Sequence, residues 1–163
     1  MSTVSIKHVL QIGIIVSDVK AALENFCRLF SLDEKKAILI PDTGEGITSA
    51  RYYGQEVSFR LAIALINYAG IQFEFIQPLG GDANPYSDFL QQHGPGIHHI
   101  NVQYSDYDHA IHAFEAAGGK EMVSGQLFGG HFCYWDLCNS IGLVLESSKD
   151  LTDEYAQSIL HSS

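Results

Sequence analysis

The octapeptide QIGIIVSD at residues 11–18, followed 88 residues later by HINVQYSD at residues 99–106, decides the fold of this chain. Each copy begins with a short apolar run of the β type and ends with Ser-Asp, a pair that favours the start of a helix. An amphipathic helix pattern follows each copy, and the same offset relates Phe26 to Phe114 on its apolar face. A repeat of this length predicts two similar structural units.

The rest of each half consists of further strand patterns. They lie near residues 37–41, 47–53, 58–68 and 71–77 in the first half and near residues 121–124, 128–136 and 142–147 in the second. One helix is expected at residues 85–93. A second, C-terminal helix is expected within residues 150–161, with Thr152 as its N-terminal cap. We therefore predict a single α+β domain over residues 1–163. Two tandem βαβββ modules, at residues 7–78 and 97–148, would form a cupped mixed sheet around a cleft.

The composition excludes several classes of partner. Asp and Glu outnumber Lys and Arg by 19 to 9, so the net charge of −10 argues against nucleic-acid binding and against adhesion to an anionic membrane. The three cysteines have no CxxC spacing, which favours free, reduced thiols. With no apolar leader or membrane span in the sequence, we expect a cytoplasmic protein.

Four polar residues occupy matched places in the two halves. Gln11 and His99 open the first strand of each half, and Glu74 and Glu146 lie on the last strand of each half. Taken singly, each fits a solvated strand face or a hydrogen-bonded core position. A pseudo-twofold axis would bring all four together in the cleft. One imidazole, two carboxylates and one amide oxygen suit Zn²⁺, Ni²⁺, Co²⁺, Mn²⁺ or Fe²⁺.

The repeat, the His98-His99-Ile100 run and the Glu74-x-x-x-Pro78 element together resemble the vicinal oxygen chelate superfamily, which includes glyoxalase I and methylmalonyl-CoA epimerases. The resemblance extends from about residue 7 to residue 147. FEFIQPL at residues 73–79 and GPGIHH at residues 94–99 are most similar to the epimerase branch. The resemblance implies a divalent metal ion, usually a homodimer, and metal ligands at four positions: Gln11, Glu74, His99 and Glu146.

Two departures from the epimerase pattern keep a second reaction open. Epimerases usually have histidine at the position of Gln11, whereas glyoxalase I can have glutamine there. The epimerase branch also has a second catalytic carboxylate on the third strand of the first module, where this chain aligns Ser49. Extradiol dioxygenases of the superfamily use two histidines and one glutamate, and Gln11 and Glu74 argue against that branch.

The chemistry implied by the resemblance is proton transfer next to a substrate carbonyl through a metal-stabilised enolate. We therefore predict an enzyme of the isomerase, epimerase or lyase type, similar to methylmalonyl-CoA epimerases, with Glu146 and Glu74 as catalytic residues. The substrate would be an acyl-CoA thioester. The first alternative is a lactoylglutathione lyase (glyoxalase I) acting on a glutathione hemithioacetal. The second is a non-catalytic binding protein of the bleomycin-resistance type, and a regulatory protein that retains the fold is also open.

Weaker candidates surround this set. Ser49 and Arg51 share a strand face by alternation, and Arg51 would pair with a substrate carboxylate or phosphate, or form a structural salt bridge. His131 would line the cleft as a third substrate-binding residue, or be an ordinary surface or core histidine. His98 is expected on the strand face opposite to His99. His8 would replace Gln11 only if the first strand contained a bulge.

Overall fold

The computed structural model describes residues 3–162, which fold into one ten-stranded sheet with five α-helices and two short 3₁₀ helices. The strands are β1 Ile6–Ile15, β2 Ile38–Ile40, β3 Ile47–Tyr52, β4 Gln55–Glu56, β5 Phe59–Tyr68, β6 Ile71–Gly81, β7 Gly96–Tyr104, β8 Lys120–Leu127, β9 Gly130–Leu137 and β10 Leu143–Ser147. The helices are α1 Val19–Phe30, α2 Pro85–His93, α3 Tyr107–Ala116, α4 Cys138–Ile141 and α5 Asp153–Leu160. The 3₁₀ helices are Glu34–Lys36 and Gly44–Gly46.

The strand pairing repeats the duplication seen in the sequence. In the first half β1 pairs parallel with β6, β6 antiparallel with β5, and β5 antiparallel with β2. In the second half β7, β10, β9 and β8 pair in the same way. Antiparallel pairing of β1 with β7 joins the two halves into one sheet. The mixed sheet with two βαβββ units confirms the predicted α+β fold class.

The hairpin of β3 and β4 has no counterpart in the second half. It is inserted between β2 and β5, and β3 pairs antiparallel with β8, the outer strand of the other half. Pairing of this kind covers a sheet edge that would otherwise expose a row of unpaired backbone groups. The strand predicted near residues 47–53 therefore exists, but it lies on the edge of the second half of the sheet.

The two repeated helices cover the outer face of the curved sheet. Helix α1 buries Val19 and Leu23 against residues of β5 and β6, and α3 buries Ala110 and Phe114 against residues of β7 and β9. The opposite faces of the two halves meet in one shared apolar cluster: Ile15, Ala50, Phe59, Leu61, Ile63, Ile76, Tyr86, Val123, Phe132, Tyr134 and Val144. Because both halves contribute to it, this cluster marks the concave side of the cup.

Helix α5 packs against the start of β1. Its side chains Ala156 and Ile159 are almost fully buried against Leu10. The helix begins behind Thr152, whose hydroxyl accepts a hydrogen bond from the backbone N–H of Tyr155, as the sequence predicts. Among the helices of residues 3–162, none is long and apolar enough to cross a membrane.

The Ser-Asp pairs of the repeat act as predicted at the helix N-termini. Asp18 accepts hydrogen bonds from Lys20 and Ala21 at the start of α1, and Asp106 accepts one from His109 at the start of α3. We expect Asp18→Ala and Asp106→Ala each to lower the free energy of unfolding by about 1 kcal/mol, because backbone donors lose a capping acceptor.

Urea denaturation of single variants checks this prediction, with Ser17→Ala and Ser105→Ala as matched controls, because both serines are exposed and precede the capping residue. Equal losses of stability in the serine and aspartate variants would contradict the assignment of the caps.

Candidate functional site

Three ionisable side chains meet on the concave face of the sheet. They are Glu74 on β6, His99 on β7 and Glu146 on β10, and one ligand atom from each lies within 4.8 Å of the others. Nε2 of His99 is 3.4 Å from Oε2 of Glu74 and 3.1 Å from Oε2 of Glu146. All three side chains are buried. The structure thus brings together three of the four residues implied as metal ligands.

A glycine makes room for this cluster. Gly13 on β1 is in register with Glu74 on one side and with His99 on the other. A Cβ at position 13 would overlap the imidazole ring of His99, so the ring occupies the space that the missing side chain leaves. Gly13 is not among the residues predicted for the site, although a glycine inside a strand is a known signal of close approach.

We expect Gly13→Ala to weaken binding of Zn²⁺ by roughly 10- to 100-fold, because the new methyl group forces the His99 ring out of place. Gly96→Ala is a matched control, since a Cβ at that β-strand position would lie in ordinary contact, 3.8 Å from the Phe89 ring. Competition with a chromophoric chelator gives both affinities. Wild-type affinity in Gly13→Ala would show that the His99 ring does not need this space.

The charges of the cluster are strongly coupled. Burial raises the pKa of Glu74, and the neighbouring Glu146 raises it further, while His99 opposes both effects. Burial alone would lower the pKa of His99, but the adjacent carboxyl groups of Glu146 and Glu74 raise it to about 9. A positive charge on His99 is therefore favoured at neutral pH, and a cation is what this site stabilises.

The donor set fits a divalent metal ion. Nε2 of His99 and Oε2 of Glu146 are buried and close, yet they are not aligned as a hydrogen bond, so each lacks a hydrogen-bond partner. Two converging donor atoms without partners are what a shared cation would satisfy. Imidazole nitrogen with carboxylate oxygens suits Zn²⁺ and the other first-row divalent ions.

Gln11 lies two residues before Gly13 on β1, on the same face of the strand, and is in register with Gln72 on β6. It is buried, and its amide nitrogen donates a 2.8 Å hydrogen bond to Oε1 of Gln72 on β6. The same oxygen accepts a 3.2 Å hydrogen bond from the hydroxyl of Tyr155 on α5. Since the contact with Gln72 uses the amide nitrogen of Gln11, the amide oxygen is the atom by which Gln11 would bind a metal ion.

The position of His98 differs from the sequence expectation. Ile97 is in register with Ile14 and His99 with Gly13, so His98 is an extra residue on β7, in a β-bulge. Alternation fails there, and both rings are buried side by side with their Nδ1 atoms 3.1 Å apart. Burial, together with the charge of His99, lowers the pKa of His98 to about 3, so it is neutral.

Two tyrosines complete the wall behind the histidines. The ring of Tyr134 on β9 lies 4.4 Å from the ring of His99, centre to centre. The hydroxyl of Tyr86 on α2 forms a 3.0 Å hydrogen bond with the hydroxyl of Tyr134. Burial raises the pKa of both tyrosines well above the ordinary value. They form a protonated, largely apolar enclosure for the cluster, and neither is among the residues predicted for the site.

The structure does not bring Ser49 and Arg51 to the cluster. Ser49 is exposed and has a φ of 53°, and the register of β3 against β8 shifts between Thr48 and Arg51. Ala50 is the residue that points into the concave core. Arg51 is exposed and forms a 3.2 Å salt bridge with Glu56 on the neighbouring strand.

His131 and His8 also lie away from the cluster. Phe132 and Tyr134 point to the concave side of β9, so His131 lies on the other face, in a groove beside α3. Its backbone N–H donates to Asp150. His8 is half-buried near Asp153, whose pKa is lowered mainly by hydrogen bonds from Lys7 and Gln103 and slightly by His8.

Two cavities adjoin the cluster. A small one of about 40 Å³, otherwise lined by apolar and tyrosine side chains, touches Glu74 and Glu146. A larger one of about 700 Å³ reaches His98 and His99 from the side of α2. The larger cavity is lined mainly by aromatic and aliphatic side chains, and its charged residues include Asp88 and Asp136 but no Lys or Arg.

Comparison with solved structures shows which proteins share this fold. A methylmalonyl-CoA epimerase from Mycobacterium tuberculosis aligns over 96% of both chains, with 18% identity and a TM-score of 0.61. A variant of the Streptomyces coelicolor methylmalonyl-CoA epimerase, in complex with 2-nitronate-propionyl-CoA, aligns over 91% of this chain and 99% of its own. Its identity is 16% and its TM-score is 0.59. A hypothetical protein from Bacillus halodurans aligns over 90% of this chain and 97% of its own, with 17% identity and a TM-score of 0.57.

The sequence was compared with individual curated proteins and with family models. No curated protein gives a significant sequence match, but one family model does. The model of the glyoxalase, bleomycin resistance protein and dioxygenase superfamily matches residues 10–135, which include most of both halves. This match confirms the resemblance inferred from the repeat and the paired histidines. The chain belongs to the glyoxalase/bleomycin resistance protein/dioxygenase superfamily.

Proposed function

We propose that this protein is a metal-dependent enzyme that moves a proton next to a substrate carbonyl, in a reaction similar to that of the methylmalonyl-CoA epimerases. The observation that supports the proposal is the buried cluster of Glu74, His99 and Glu146, placed symmetrically by the two halves of the sheet. The same proposal includes an acyl-CoA thioester as substrate and a homodimeric assembly. Three ionisable groups that pack together in an apolar cup are costly to bury without a function.

Four residues would hold the metal ion: Gln11 through its amide oxygen, Glu74, His99 through Nε2, and Glu146. Zn²⁺, Ni²⁺, Co²⁺, Mn²⁺ and Fe²⁺ all suit this donor set. When bound, such an ion acts as a Lewis acid and stabilises the negative charge that develops on a carbonyl oxygen as the adjacent carbon loses its proton.

The two glutamates carry the proton. Glu146 takes the proton from the substrate carbon, and Glu74, the partner carboxyl group on the other half of the sheet, returns one. Tyr134 and Tyr86 line the small cavity together with both glutamates, so they limit the access of bulk water to the two carboxyl groups. The small cavity beside the glutamates limits the reacting part of the substrate to a few atoms, unless the surrounding side chains move.

A glyoxalase I type reaction on a glutathione hemithioacetal is the second candidate. The position where epimerases have a second catalytic carboxylate is occupied here by Ser49, which is exposed on β3. The cluster therefore has to supply both carboxylates itself, as Glu74 and Glu146. The larger cavity adds support, because it offers no lysine or arginine to the phosphates of CoA. Isomerisation of a hemithioacetal requires the transfer of a proton between two adjacent carbons. Glu74 and Glu146 are close enough together to carry out that transfer.

One experiment separates the candidates. Purified protein is loaded with Zn²⁺, Co²⁺, Ni²⁺ or Mn²⁺ and incubated in deuterated water with methylmalonyl-CoA or with the hemithioacetal of methylglyoxal and glutathione. Deuterium incorporation followed by NMR identifies the substrate class. Metal binding without exchange on either compound would reject both reactions and favour a binding protein. A protein that takes up none of these four ions, and no Fe²⁺ under anaerobic conditions, would reject the metal-dependent mechanism itself.

A further inference from the structure

The β-bulge in β7 places a second histidine behind the first. His98 would point away from the cluster in a regular strand, but the extra residue turns its ring onto the same side as His99. The two ring centres are 5.4 Å apart, at an interplanar angle of 85°. The Nδ1 atoms of His98 and His99 lie 3.1 Å apart, which is a hydrogen-bond distance.

The hydrogen bond fixes both tautomers. One of the two Nδ1 atoms must carry a proton and the other must accept it. Nε2 of His99 faces Glu74 and Glu146, and it must be free of a proton to bind a metal ion. The proton of His99 then lies on Nδ1 and is donated to Nδ1 of His98, whose own proton is on Nε2.

We propose that His98 is a positioning residue that orients His99 and holds it in the tautomer that binds metal through Nε2. Metal-binding histidines commonly donate their second N–H to a carboxylate, a carbonyl or a water molecule, and the acceptor tunes the affinity of the site. Here a neutral imidazole takes that place. This inference rests on the metal site of the proposed function, but it concerns the ligand geometry and no reaction step.

The packing around His98 keeps its ring in place. Its ring centre lies 5.2 Å from that of Phe89, 5.8 Å from that of Tyr86 and 5.8 Å from that of Tyr134. With aromatic rings on these sides, the imidazole has little freedom to rotate away from His99. The larger cavity reaches the ring as well, so the positioning residue lies between the metal site and the space beside α2.

The test compares two replacements of His98. His98→Asn keeps an acceptor, because Oδ1 of asparagine is as many bonds from the backbone as Nδ1 of histidine. His98→Leu fills a similar volume and has no acceptor. We expect His98→Leu to bind Zn²⁺ roughly 10- to 100-fold more weakly than the wild-type protein, and His98→Asn to recover most of that loss. Competition with a chromophoric chelator measures the affinities, and the absorption spectrum of bound Co²⁺ reports the ligand geometry.

Two outcomes of this comparison would overturn the proposal. Wild-type Zn²⁺ affinity in His98→Leu would show that the contact is irrelevant, and equal losses in both variants would indicate a packing role only. Nitrogen-15 NMR of the metal-free wild-type protein is an independent measurement, which needs no variant to fold. It should show His98 protonated on Nε2 with Nδ1 as acceptor, and the opposite tautomer would reject the inference. If the wild-type protein itself takes up no metal while His98 has this tautomer, the proposed function fails and the hydrogen bond stands.

Discussion

A His99→Ala variant is expected to bind Zn²⁺ roughly 10²- to 10³-fold more weakly than the wild-type protein. The basis is the free energy of binding of structural Zn²⁺ sites, which is about 10–16 kcal/mol for four ligands and hence about 3 kcal/mol for each. His99 is also central to the cluster, since its Nε2 lies within 3.4 Å of both carboxylates. Alanine removes the ligand and leaves Glu74 facing Glu146 without the opposing positive charge, so the metal-free variant should also be less stable.

The measurement is metal stoichiometry by elemental analysis, together with a chelator competition for the affinity. His112→Ala is the matched control, because His112 is an exposed histidine on α3, on the outer face of the sheet. Thermal unfolding of each variant shows whether it is folded, and His99→Gln, which fills more of the space, is a second variant if alanine does not fold. Undiminished metal content in a folded His99 variant would contradict the ligand assignment.

The parts of the fold that depend on local sequence could be predicted. The spacing of Val19, Leu23 and Phe26 marks one face of α1, and Asp18 caps it, because both features act within a few residues of the chain. The repeat then placed the first and last strands of each half together. Three of the four implied ligands, Glu74, His99 and Glu146, lie in one cluster for this reason.

The parts that depend on non-local pairing could not be predicted. The pairing of β3 with β8 joins segments about 75 residues apart, and no local pattern specifies which sheet edge the hairpin covers. The bulges have the same cause. One extra residue at His98 reverses the face on which its ring lies, and the shift between Thr48 and Arg51 leaves Ser49 exposed. Strict alternation therefore gave the wrong face for His98.

The largest effect on catalysis is expected for Glu146→Gln, which should lower the rate of proton exchange at the substrate carbon by roughly 10²-fold or more. Glutamine keeps an oxygen at the position of the carboxylate, so it preserves a metal ligand and nearly the same volume, but an amide is far too weak a base to take the proton. Glu146 is buried beside His99 and touches the small cavity, so no solvent base is placed to replace it.

The comparison must be made with metal at saturating concentration, so that a weaker ligand is not mistaken for a missing base. Glu115→Gln makes the same replacement on the exposed side of α3 and should leave the exchange rate unchanged. Glu74→Gln completes the set. If Glu146 removes the proton and Glu74 returns it, exchange of the substrate proton falls most in Glu146→Gln, whereas net turnover falls in both variants. Wild-type exchange in a fully metal-loaded Glu146→Gln protein would show that Glu146 is not the base, and a large loss confined to Glu74→Gln would assign that role to Glu74.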